Sequence, residues 1–113
     1  MLVACLCAQW CGTCRDYQPL FTQLQAELPQ TRFMWVDVED ESELVDPVEV
    51  ENFPTLLIAR HGKPLFFGTA TPHLETLKRL IQNYRSAPQP GAQQSDDVVA
   101  LAKRLTARLT LDA

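Results

Sequence analysis

Four cysteines fall between positions 5 and 14 of a 113-residue chain, and two of them, Cys11 and Cys14, are spaced for thiol-disulfide exchange. They bracket Gly12 and Thr13 in a Cys-x-x-Cys unit that follows an apolar, strand-like run and opens a helical pattern. The nucleophile in such exchange is a thiolate. A cysteine at a helix N-terminus meets unpaired backbone N–H groups and the positive end of the helix dipole, both of which favour the thiolate over the thiol. Cys11 has that place. Cys14, one turn later, lies near enough to attack a mixed disulfide formed at Cys11 and release the reduced partner. Zinc sites use the same spacing in pairs, so the motif alone is only moderately specific. A metal or iron–sulfur site would need all four thiolates, from Cys5, Cys7, Cys11 and Cys14, converging from a strand and a helix start. Cys5 and Cys7 share one face of the strand at a separation of about 6.6 Å, beyond disulfide reach of each other, and read as small core residues.

The elements that must position these thiols follow from periodicity. Leu2 to Ala8 reads as a buried strand, and Tyr17, Leu20, Phe21, Leu24 and Leu28 form a helical stripe with Pro19 inside it and Pro29 at its end. Thr31 to Val38 is a second strand, leading into the acidic stretch Asp37 to Glu43 and a short helix that closes near Asp46-Pro47. Those acids read as a solvated helix start, because their spacing matches no loop that wraps a hard cation. Thr55 to Ala59 and Leu65 to Phe67 are two further strands joined by the turn Arg60-His61-Gly62-Lys63. Pro72 to Tyr84 is an amphipathic helix. Residues 86–95, with Pro88, Pro90 and Gly91, have the composition of a flexible linker. A last helix is expected over 96–111, capped by Ser95, with Val98, Leu101, Ala102, Leu105 and Leu109 as its apolar stripe.

With 46% apolar residues the chain can bury one core, and a formal charge of -4 without clustered Lys or Arg gives no footprint for nucleic acid. No run approaches the roughly 18 apolar residues of a membrane-spanning helix. Leu2-Val3-Ala4-Cys5 looks like a lipoprotein processing site but lacks the basic and apolar regions that precede one, and the missing signal peptide points to the cytoplasm.

The flanks of the motif decide between its uses. Trp10-Cys11-Gly12-Thr13-Cys14 resembles the Trp-Cys-Gly-Pro-Cys active site of thioredoxins, and Pro19 stands where that family places its helix-kinking proline. Val36-Asp37-Val38-Glu39-Asp40, Asn52-Phe53-Pro54-Thr55-Leu56 and Gly68-Thr69-Ala70 are similar to further family segments, in the family's order, so the resemblance covers Leu2 to Tyr84. It implies an α/β, thioredoxin-like fold over 1–85: a mixed central sheet of about four strands flanked by helices, without the family's first strand and helix. It implies a protein-disulfide oxidoreductase with Cys11 as nucleophile and Cys14 as resolving thiol, supported by Trp10, Gly12, Thr13 and Pro54, and needing no cofactor or metal. The Phe53-Pro54 bond would be cis and beside Cys11, with Trp10, Phe53, Pro54, Gly68 and Thr69 framing the groove for the substrate chain. Partners would be disulfide-containing proteins and a reductase or other electron donor. The competing expectation is a redox-slow adaptor that keeps the fold and binds proteins.

Three departures from the family pattern carry expectations of their own. Thr13 replaces the usual proline between the cysteines, a dipeptide that tunes potentials known to run from about -270 to -120 mV, so direction stays open. Cys5 stands where the family has a buried acid that helps deprotonate the second cysteine, which predicts slow resolution by Cys14 near neutral pH. The chain starts almost inside the strand that carries the site, leaving one sheet face for the C-terminal helix to cover, on its own domain or across a homodimer.

Overall fold

The computed structural model describes residues 1–8, 11–29, 31–46, 48, 50, 54–69, 73–86 and 95–112, with the backbone alone at 86 and 109–112. Its elements run β1 (Leu2–Cys7), α1 (Gly12–Glu27), β2 (Arg32–Asp37), α2 (Ser42–Val45), β3 (Thr55–Arg60), β4 (Lys63–Thr69), α3 (Leu74–Ser86) and α4 (Asp96–Asp112). All six residues of β1 are apolar and buried, as a strand covered on both faces requires. β1 accordingly lies inside a four-stranded sheet of order β2-β1-β3-β4, parallel to β2 and antiparallel to β3. The chain crosses from β1 to β2 through α1, and β3 returns into β4 through a tight hairpin.

That hairpin turns on His61 (φ 54°) and Gly62 (φ 78°). Two consecutive residues of positive φ match the right-handed twist of the flanking strands, and His is among the few residue types that tolerate the left-handed region. β4 is longer than the sequence expectation of Leu65 to Phe67. The reason is a register shift: Ile58 pairs with Phe66 but Ala59 pairs with Pro64, which places the proline beside an irregularity on an edge strand, where its missing N–H breaks no ladder.

Alternation along β1 and β3 divides the core in two. Val3, Cys5, Cys7, Leu56 and Ile58 face α1 and α3, packing on Tyr17, Phe21, Leu24, Leu77 and Ile81. Leu2, Ala4, Leu6, Leu57 and Ala59 face the other way, onto Val98, Leu101, Ala102 and Leu105 of α4 and Val45 of α2. The C-terminal helix thus covers the second face of its own sheet, and the apolar stripe from Val98 to Leu105 is occupied within the chain rather than offered to a second copy. Arg104 locks it there, donating from Nε to the Leu44 carbonyl (2.9 Å) and from Nη2 to the Asp46 carbonyl (2.9 Å) at the end of α2. Arg108 pairs with Glu41 beside it. The expected linker lies, but for its first and last residues, outside the described residues.

Candidate active site

The N-terminus of α1 is built on the end of β1. Cys11 is the N-cap of α1, its backbone extended (φ -83°, ψ 122°), and its amide donates to the Ala8 carbonyl at 3.0 Å. A Ser, Thr or Asp at this position would turn its side chain onto the first-turn N–H groups. The Cys11 side chain makes no such bond, and no acidic residue stands in the first turn. Cys11 is a free, half-buried thiol, so a helix terminus with open donors carries an accessible sulfur. Gly12 and Thr13 are exposed. Pro19 sits inside the same helix, where it removes the bond to the Arg15 carbonyl.

Cys14 does not pair with Cys11. It forms a disulfide with Cys7, with Cα atoms 5.8 Å apart, and both residues are 1% exposed. The expected Cys11/Cys14 dithiol pair is therefore not the pair joined in this structure, and Cys7 is more than a small core residue. The physical reason lies in the face each residue occupies. Odd positions of β1 point toward α1, and Cys14, in the first turn of α1, is turned inward onto that face. Cys5 and Cys7 do not bridge within the strand, but a bridge from the strand to the helix above it obeys a different distance. The signal was present in the sequence as the odd parity shared by Cys5 and Cys7, combined with the inward stripe that Tyr17, Phe21 and Leu24 define back through Cys14. With Cys7 and Cys14 joined, two of the four sulfurs required for a metal or iron–sulfur site are not thiolates here.

Cys5 lies deeper on the same face, a fully buried free thiol whose Sγ is 3.9 Å from the Sγ of Cys7. Burial alone pushes its pKa up to about 12, so at the position where the family pattern calls for a carboxylate there is a neutral thiol that offers no base. Tyr17 packs in the same cluster. Its hydroxyl is buried and has no hydrogen-bond partner among the described residues. Its pKa is raised, first by burial and then by the proximity of Cys5.

Beside the disulfide a cavity of about 290 Å³ opens between α1 and the end of β2, lined by Ala8, Cys14, Arg15, Gln18, Trp35, Asp37 and Asp40. Asp37 is committed to the local backbone, its Oδ1 accepting from the amides of Glu39 (2.9 Å) and Asp40 (3.1 Å).

The remaining expected site residues meet at one end of the sheet. Leu6, next to the end of β1, pairs with Thr55 at the start of β3, and Thr55 pairs with Thr69 at the end of β4. Register therefore brings Pro54, Gly68 and Thr69 to the edge from which the chain leaves β1 toward Cys11. Pro54 is buried, Gly68 half-buried and Thr69 exposed. Trp10, Phe53 and Ala70 lie outside the described residues, and with them the Phe53-Pro54 peptide bond. No helix among the described residues is long and apolar enough to cross a membrane.

Comparison with known proteins agrees with this geometry. A family model described as Thioredoxin matches residues 1–83. A thioredoxin of Chlamydia trachomatis is 28% identical over 78 residues, covering 69% of this chain and 76% of its own length. A thioredoxin of Chlamydia pneumoniae is 30% identical over 77 residues, covering 68% and 76% respectively. Among solved structures, the X-ray structure of Fasciola hepatica thioredoxin superposes with a TM-score of 0.66 at 29% identity, over 73% of this chain and 78% of that one.

Proposed function

We propose, on the premise that this chain belongs to the thioredoxin family, that it is a thiol-disulfide oxidoreductase acting on protein disulfides, with Cys11 as the attacking thiol. The observation that carries this reading is the free thiol of Cys11 at the uncapped N-terminus of α1. Its sulfur is the accessible one at the end of the sheet where Pro54, Gly68 and Thr69 converge. A thiolate there attacks a substrate disulfide, and Cys14, when reduced, attacks the resulting mixed disulfide at Cys11 to release the product. Gly12 and Thr13 form the exposed rim beside Cys11, and the family resemblance assigns Trp10 and Phe53 to substrate binding. Substrates are disulfide-containing proteins, and electrons come from a reductase or a comparable dithiol donor. The compartment that fits is the reducing cytoplasm, where a disulfide such as Cys7–Cys14 is a transient species of a redox cycle rather than a permanent staple.

One observation favours a second reading. Joined to Cys7, Cys14 is unavailable to Cys11, and a chain held in that state would bind partners through the groove without turning them over. Reduction of insulin disulfides in the presence of dithiothreitol separates the two. Turnover that falls to the uncatalysed dithiothreitol rate in Cys11→Ser is expected of the oxidoreductase. Absence of turnover in the wild-type chain, with partner binding that survives Cys11→Ser, would establish the adaptor instead.

A further inference from the structure

We infer that Cys7 is a third catalytic thiol, which draws the disulfide inward from Cys11–Cys14 to Cys7–Cys14 and returns Cys11 to the free state. The inference rests on the oxidoreductase reading above and deepens it. Cys14 is the shared partner. It stands one helical turn from Cys11, where neighbouring side chains meet, and its Cα is 5.8 Å from that of Cys7, to which it is bonded. Exposure separates the two pairings: Cys7 and Cys14 are each 1% exposed, whereas Cys11 is half-buried. A protein disulfide cannot reach Cys7 or Cys14 directly, so oxidising equivalents enter through Cys11.

The steps balance as exchanges. The Cys11 thiolate attacks a substrate disulfide, forming Cys11–S–S–R and releasing one substrate thiol. The Cys14 thiolate attacks the Cys11 sulfur, forming Cys11–Cys14 and releasing the second substrate thiol. The Cys7 thiolate then attacks the Cys14 sulfur, which forms Cys7–Cys14 and expels the Cys11 thiolate, the proton lost by Cys7 replacing the one Cys11 had given up. Over the sequence the substrate disulfide is reduced by two electrons, Cys7 and Cys14 are oxidised, and Cys11 enters and leaves as a thiol. Re-reduction runs back through the same door, with Cys11 reopening the Cys7–Cys14 bond before an external dithiol acts. Cys5 ends the relay, because neighbouring same-face positions of a strand stand too far apart to bridge.

This route gives the oxidised chain a property that a two-cysteine site lacks. Its free Cys11 accepts a second disulfide as a mixed disulfide that Cys14, already engaged, does not resolve.

The test is a disulfide map of the full chain after oxidation by excess oxidised glutathione, acid quenching and alkylation of the remaining thiols with N-ethylmaleimide. Cleavage after Trp10 and Arg15 separates Cys7 from Cys11 and Cys14. A Cys7–Cys14 bond appears as two linked peptides, and a Cys11–Cys14 bond as one looped peptide. The expected wild-type result is linked peptides with one glutathione on Cys11. In Cys7→Ala the expected result is the looped peptide without glutathione. In Cys11→Ser, formation of Cys7–Cys14 should slow by about 100-fold or more, since the accessible entry thiol is gone. A looped wild-type peptide with Cys7 alkylated overturns the relay, and so does a Cys7–Cys14 bond that forms as fast in Cys11→Ser, which would make it a fixed structural bridge. Insulin turnover by the wild-type chain reports separately on the function. Turnover with a looped map sinks the relay alone, whereas a Cys11-dependent linked map without turnover sinks the protein-disulfide reading alone.

Discussion

The two faces of the sheet are built from the same strands by alternation, yet they carry opposite chemistry. Toward α1 and α3 the buried surface holds three sulfurs, from Cys5, Cys7 and Cys14, and the Tyr17 hydroxyl, which has no hydrogen-bond partner among the described residues. Toward α4 its buried described residues are aliphatic, with Leu2, Ala4, Leu6, Leu57 and Ala59 against Val98, Leu101, Ala102 and Leu105. The Tyr17 hydroxyl costs this face stability, having given up water without a hydrogen-bond partner among the described residues. A face free of those groups can pack for stability alone. The arrangement assigns chemistry to one side of β1 and anchoring to the other, with Cys5 and Cys7 only one residue away from Ala4 and Leu6.

The largest expected effect tests the anchoring side. Leu101 is fully buried in the α4 face, and Leu101→Ala should cost about 2–5 kcal/mol of unfolding free energy by urea denaturation. It should do so without altering which cysteines are joined. A loss below about 1 kcal/mol would mean that α4 rests on the sheet too loosely to carry the fold. A changed disulfide map would mean the two faces are not independent.

How much of this division was legible in the sequence depends on which signal each part uses. The apolar run at Leu2–Cys7, the stripe Tyr17-Phe21-Leu24 and the His61-Gly62 turn are local signals, and each element stands where its period placed it. The extent of β4 is not legible locally, because Pro64 ends a local pattern, while the register irregularity that accommodates it belongs to the pairing with β3. The stripe on α4 showed that the helix needs cover without showing whose, and Arg104 reaching the carbonyls of Leu44 and Asp46 is a contact across some 60 positions that no local pattern encodes. In the site, the placement of Cys11 at a helix start was legible from strand, motif and stripe. The partner of Cys14 takes a longer reading: Cys-x-x-Cys spacing advertises the bond within the motif, and the one to the strand beneath shows only when the parity of Cys7 is set against the inward stripe through Cys14.

A smaller effect tests the reactive side through pH. Burial raises the Cys5 pKa from an ordinary 9.0 to about 12. A thiol is neutral when protonated, so the folded chain keeps a proton that the unfolded chain releases above pH 9. The unfolded state then binds fewer protons, and stability present below pH 9 is lost as pH rises toward 12, at about 1.4 kcal/mol per pH unit. Tyr17, raised from 10.0, tilts stability the same way at higher pH. Between pH 8 and pH 10 the wild-type chain should therefore lose about 1.4 kcal/mol more than Cys5→Ala, whatever the absolute stability of the variant. Equal slopes for the two proteins would show that Cys5 is reached by water and that the reactive face is not sealed.

The smallest effect asks whether α4 is held by its start or by its face. Ser95 caps the helix, its Oγ accepting from the Val98 amide at 3.3 Å while its carbonyl accepts from Val99 at 3.0 Å. Asp96 and Asp97 follow in the first turn, where the helix dipole favours negative charge. Loss of a Ser cap costs about 1 kcal/mol, well below the expected cost of truncating Leu101. Ser95→Ala measured in the same urea titration should fall in that order, because Val98, Leu101, Ala102 and Leu105 hold the helix on the sheet after its first turn has frayed. A Ser95→Ala loss equal to or above that of Leu101→Ala would reverse the assignment: α4 would then be anchored at its N-terminus, and the aliphatic face would be following the helix rather than fixing it.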